Sequence, residues 1–295
     1  MRTRKRKTGT KNAALRCAGK WTVIVVTLTL LQIATSLPAQ AQCTAVNTAF
    51  TGGEQVEYDL YFNWSFIWNK VGLATLGTIE TVYEGKPAYK LDLLSIGSKR
   101  TDFFFKMRDT LTCYVSRQLE PLYYRKAAEE GSRFTIDEAW YSYSDGVSHV
   151  KQRRTWPKKD RPVQEAEHSD SRCIFDMLSI LTQARSYNPD DYKIGDRILF
   201  PMVDGRKVEE QTLIYRGKEN VEANDKQTYR CLVFSFVEID KKGKENEVIT
   251  FFVTDDRNHL PIRLDMYLRI GSAKAFLKKA TGTRYPMTDA IVKKK

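Results

Sequence analysis

Histidine is scarce in this chain of 295 residues, with only His149, His168 and His259. No two of them stand at a metal spacing such as H-E-x-x-H, so a zinc hydrolase has no motif to rest on, and each reads as a surface side chain. None of the five cysteines forms a C-x-x-C, which excludes a zinc ribbon and a thioredoxin-type redox pair. The chain also lacks G-x-G-x-x-G, a Walker loop and a G-x-S-x-G elbow, so nucleotide chemistry and the serine-elbow hydrolases have no support. After residue 41 no long apolar run occurs, which leaves no candidate membrane helix there. The βαβ rhythm of Rossmann and TIM folds is missing as well.

The positive charge is concentrated at the start. Eight cations of a net +12 fall in residues 1–41, which carry no acid, leaving +4 for the rest. That basic start precedes WTVIVVTLTLLQIA and then Ala39-Gln40-Ala41, the order of a secretory signal peptide with an A-x-A cleavage site. Cys43 follows Gln42, where lipidation would want a small residue. The expectation is a signal peptide at 1–41, a linker at 42–53, and an exported, periplasmic product that is not transmembrane. A mixed surface of +4 gives no footprint for nucleic acid. Cys43, Cys113, Cys173 and Cys231 remain; three disulfide pairings are open to them, and so is a set of four buried free thiols.

Aromatic residues are plentiful, 15 Tyr, 14 Phe and 5 Trp, and they sit in alternating runs. In GGEQVEYDLYFN (52–63), Val56, Tyr58, Leu60 and Phe62 share one side, as in a half-buried strand. VGLATLGTIETVY and KPAYKLDLLSI form a hairpin about Gly85 and Pro87, and Gly72, Ala74 and Gly77 let the first arm bend. Further strands are expected at 110–116, 121–127, 132–144, 147–156, 196–203, 207–217, 228–240, 247–256, 260–270 and 272–280. Asp204-Gly205 signals a type I′ turn. The polar stretch 157–171 reads as a loop. Residues 171–187 change period, with Ile174, Leu178 and Leu181 on one stripe and Asp170 or Ser171 as cap, and so predict the one main α-helix. The fold class is mainly β: curved antiparallel sheets, a sandwich or partly open barrel, over 54–281 in two sheet halves joined by that helix. A flexible tail is expected at 282–295.

Several patterns resemble one family in their order: GEQVEYDLYF, VGLATLG, MRDTLTCYVS, LEPLYY, FDMLSILTQAR, VDGRK, FVTDDRNHLPIRL and GSAKA. Together they are similar to the exported bacterial domain of unknown function 3108 from about residue 52 to 280. The resemblance implies a β-rich protein of the Gram-negative cell envelope, and it carries no biochemical activity.

Candidate site residues follow from side-chain type. Trp64, Trp68, Tyr114, Tyr124 and Trp140 are aromatics able to line a cavity. Arg108-Asp109 follows the run Phe103-Phe104-Phe105, and Arg263 sits in the apolar LPIRL, where burial demands an acidic partner such as Asp265, Asp109 or Glu138. Asp255-Asp256 and Asp190-Asp191 are turn carboxylates that bond their own backbone. No cofactor or metal is implied. The expected function is a non-catalytic envelope protein that binds an apolar ligand, a lipid or the acyl part of a lipoprotein. The alternatives are an envelope-assembly module with a solid core that docks a protein partner, and a hydrolase of envelope polymers.

Overall fold

The structure is a computed structural model, and it describes residues 43–64, 67–98, 107–239, 243–268 and 271–293. Residues 1–41, expected as a signal peptide, and the run Phe103–Phe105 lie outside the described residues.

Eight strands precede the helix: β1 (Gln55–Trp64), β2 (Ile67–Tyr83), β3 (Lys86–Gly97), β4 (Met107–Ser116), β5 (Pro121–Glu130), β6 (Arg133–Ser144), β7 (Val147–Thr155) and β8 (Gln164–Asp170). After α1 (Met177–Ala184) come β9 (Arg197–Asp204), β10 (Lys207–Glu222), β11 (Thr228–Ile239), β12 (Glu245–Thr254), β13 (Pro261–Tyr267) and β14 (Ser272–Thr281). Pairing is antiparallel throughout, and β1 also pairs with β14, so all 14 strands form one sheet in the order β8 to β1 and then β14 to β9. The two expected sheet halves are therefore one sheet. Its edges are β8 and β9, and side chains tie the β8 end to the β9–β10 hairpin. His168 of β8 hydrogen-bonds the Arg206 carbonyl at 3.0 Å, and Arg172 pairs with Glu210 of β10. The result is a nearly closed antiparallel barrel with one short helix.

Tight turns explain the meander. Glu84-Gly85 and Asp145-Gly146 both have positive φ, the type I′ pattern whose twist matches a hairpin. Pro87 lies inside β3 rather than in the turn. At the β9–β10 turn Asp204 pairs with Lys207 and only Gly205 has positive φ, so the expected type I′ turn has the φ pattern of type II′. Gly72 is required for close approach, since a Cβ there would lie 2.2 Å from the Ile96 carbonyl oxygen of β3. Gly77 faces the Gln55 side chain.

The helix is shorter than its sequence pattern. Residues 171–176 stay outside the helix because three contacts hold 173–175. Phe175 bridges β9, donating its N–H to the Pro201 carbonyl at 3.0 Å and accepting from Val203 at 2.9 Å. Cys173 is disulfide-bonded to Cys43, and Ile174 donates its N–H to Ser148 Oγ. Asp176, not Asp170 or Ser171, is the N-cap; it accepts from the Leu178 and Ser179 N–H groups, and Ser179 completes a capping box.

α1 lies in the lumen. Leu178 packs into one core with Leu91, Leu111, Tyr124 and Tyr141 from β3 to β6, while Ile180 joins Phe200, Leu213 and Phe251 from β9, β10 and β12. One helix thus contacts opposite walls, which is why its apolar residues are not confined to one stripe. Burying each such side chain contributes about 1.5–3 kcal/mol. Residues 43–53, expected as a linker, carry the fully buried Cys43, Ala49 and Phe50. The expected loop 157–171 contains β8. In the segment expected as a flexible tail, Ala290 is buried and Ile291 bridges Tyr229 of β11.

Candidate functional site

Pleat alternation decides which strand residues reach the lumen. On β5 Tyr124, Lys126, Ala128 and Glu130 share the inner face; on β6 the same face carries Arg133, Thr135, Asp137 and Ala139. With β9, β10 and β12 opposite and Met177, Ile180 and Leu181 of α1 beneath, these residues enclose a cavity of about 370 Å³. It reaches the barrel end where β5 gives way to β6, at Glu130 and Arg133, and where β11 gives way to β12, at Glu238 and Val248. Its floor is apolar: Phe200, Met202, Leu213 and Phe251 are all buried. Its upper wall is polar. Arg154 of β7 is ion-paired to Asp137, with Nη2–Oδ2 at 2.8 Å. Gln152 is fully buried and donates from Nε2 to the Gly205 and Lys207 carbonyls at 2.8 and 3.2 Å.

Of the residues expected to line a site, Tyr124 does so. Burial, with the Asp176 charge second, pushes its hydroxyl well above the ordinary range, so it stays protonated. Asp109 shares the inner face of β4 with Leu111 and Cys113, and burial, followed by repulsion from Glu130, raises its carboxyl. Arg108 points to the other face of β4, so the two do not form one charged pair at the lumen.

Tyr114, Trp140, Trp68 and Arg263 are on the outer face. Tyr114 packs at a tilt against Tyr83 and Tyr123, and Trp140 packs on Tyr123 beneath the Arg153 guanidinium. Trp68 is 40 % exposed with the Lys274 ammonium 5.0 Å from its ring centre. Arg263 lies over the Phe252 and Phe276 rings and pairs with Asp265, one of its three expected partners. Trp64 ends β1, and its side chain lies outside the described residues. Aromatic identity alone could not separate lumen from exterior, because both faces of this barrel carry aromatics. The signal that could have done so is strand parity: Tyr124 and Tyr123 are adjacent and face opposite ways.

Two further clusters contain titratable groups. Asp176 is buried under the cavity and accepts from the Cys113 thiol at 3.6 Å and the Tyr141 hydroxyl at 3.3 Å. Burial, then the Asp176 charge, drives the Cys113 thiol far up, so it is a structural donor rather than a thiolate nucleophile. Burial also raises the Asp176 carboxyl, against the hydrogen bonds it accepts. The folded form thus holds this proton more tightly than the unfolded chain. The stability it contributes is full below the ordinary value of 3.8 and is lost as pH rises through the raised value. We expect the stability difference between the native chain and Asp176→Asn to fall with rising pH across the acidic range in urea unfolding; a pH-independent difference would refute this. On the outer rim, His149 hydrogen-bonds Ser169 at 2.8 Å and Ser144 at 3.1 Å. Both serines are exposed and His149 is half-buried, and a hydroxyl stands where a catalytic triad has a carboxylate to orient the ring. Among the described residues no cluster of three His, Cys, Asp or Glu is placed to hold a metal ion. No described helix is long and apolar enough to cross a membrane.

A family model described as a protein of unknown function (DUF3108) matches residues 57–278. No curated protein matches the chain. Among solved structures it is similar to the crystal structure of a beta-barrel-like protein of domain of unknown function DUF1849 from Brucella abortus. That likeness has 12 % identity and a TM-score of 0.50, and covers 82 % of this chain and 99 % of the other. At this identity it speaks for the barrel-like fold alone.

Proposed function

We propose that this chain, which belongs to the DUF3108 family, is an exported, non-catalytic binding protein that holds the acyl part of a lipid-like ligand at the mouth of its barrel. The observation that carries this reading is the cavity of about 370 Å³ with an apolar floor and a polar upper wall, within the size range of small-molecule sites. An amphipathic ligand matches that division, its chain on Leu213, Phe251 and Ile180 and its polar end toward Gln152 and Arg154. The basic, apolar and A-x-A segments at residues 1–41 support export, and the Cys43–Cys173 disulfide suits an oxidising compartment.

The test is uptake of N-phenyl-1-naphthylamine by the purified protein, together with mass spectrometry of its organic extract. We expect saturable uptake and co-purifying acyl lipid. Leu213→Trp, which fills the floor, is expected to weaken dye binding about tenfold, equivalent to about 1.4 kcal/mol. A native protein that neither takes up dye nor yields lipid would retire the reading.

A further inference from the structure

The lining of the cavity holds two buried acceptors that no protein group satisfies. Gln152 is 0 % exposed, and its amide nitrogen faces the Gly205 and Lys207 carbonyls. Carbonyls only accept, so the side-chain orientation is fixed and Oε1 points away from them. That Oε1 is buried without a hydrogen-bond partner. Gln211 of β10, 5 % exposed, lines the same cavity, and its Oε1 is likewise buried and unpartnered. Leaving a buried acceptor without a donor is unfavourable, so two in one cavity are informative about what completes it.

We infer that this lining selects a ligand whose polar end donates hydrogen bonds and carries no negative charge, a hydroxyl-bearing head such as that of a monoacylglycerol, and that it discriminates against a free fatty-acid carboxylate. The inference rests on the reading of the cavity as an acyl site. A carboxylate is acceptor-only and would meet two further acceptors. The charges agree. The cavity is lined by three cations, Lys126, Arg133 and Arg154, against five carboxylates, and Arg154 is already committed to Asp137. A hydroxyl bonding to Gln152 or Gln211 supplies the missing donor, and a site built this way rejects the analogue that lacks it.

Displacement of N-phenyl-1-naphthylamine by monolauroylglycerol and by laurate, each below its micelle concentration at mildly alkaline pH, tests this on the native protein. The expected result is binding of monolauroylglycerol at least about tenfold tighter than laurate. Gln211→Leu, which removes one of the two acceptors and leaves the Gln152 anchor in place, is expected to narrow that preference by at least about threefold. Laurate binding as tightly as monolauroylglycerol, or Gln211→Leu retaining the full preference, would overturn the inference while leaving the acyl site standing. Absence of dye uptake overturns the acyl-site reading, and this inference falls with it.

Discussion

Replacing Glu54 by alanine is expected to lower the unfolding free energy by about 3–5 kcal/mol, the usual loss when one member of a buried ion pair is removed. Glu54 is 1 % exposed and Arg185 8 % exposed at the side chain, and the pair is bidentate, with Nη1–Oε1 at 2.5 Å and Nη2–Oε2 at 2.9 Å. It joins the residue before β1 to the C-cap of α1, two segments far apart in the chain. Arg185 also donates from Nε to the Asn258 carbonyl at 3.0 Å and lies over the Phe50 ring. Alanine would strand a guanidinium among these groups, with one neutral carbonyl as its remaining acceptor. Removing both charges is a different perturbation. Glu54→Leu with Arg185→Met is expected to recover most of the loss, because the desolvation of both ions disappears with their attraction. Urea unfolding at neutral pH measures both. A loss under about 1 kcal/mol for Glu54→Ala would show a pair worth no more than a solvated one.

Breaking the Cys43–Cys173 disulfide is expected to destabilise the chain by about 2–5 kcal/mol. The bridge spans 130 residues, and closing so long a loop restricts the unfolded chain strongly. It also ties residues 43–53, which contribute the fully buried Ala49 and Phe50, to the extended lead-in of α1. Calorimetry of Cys43→Ala/Cys173→Ala should show a midpoint lower by roughly 5–15 °C. Reductant should reproduce that shift in the native protein and leave the variant unchanged, since Cys113 and Cys231 are buried thiols. An unshifted midpoint in both experiments would mean that the bridge restricts little.

The strands were legible because their signal is local. Val56, Tyr58 and Leu60 alternate, and the turn residues Glu84-Gly85 and Asp145-Gly146 mark hairpins by their own backbone preferences. The helix was half legible. Leu178 and Leu181 repeat at helical spacing, yet Ile174 and Phe175, which extend the pattern backward, are held extended by Ser148 and β9. β8 was missed because QEAEHSD alternates without an apolar face, as befits an edge strand with little to bury. The cavity was least legible. Gln152 and Gln211 look like surface residues in sequence, and only the joining of β7 to the β9–β10 hairpin buries them.

The amino-acid sequence alone determined an antiparallel meander of hairpins about one helix, since pleat alternation and turn chemistry act within a few residues. Only the tertiary structure decided that β1 pairs with β14, that α1 fills the lumen from one end, and that a polar-walled cavity remains at the other. Those outcomes depend on contacts between residues more than a hundred positions apart, such as Cys43 with Cys173 and Glu54 with Arg185. No local pattern encodes which distant partner a buried side chain will meet.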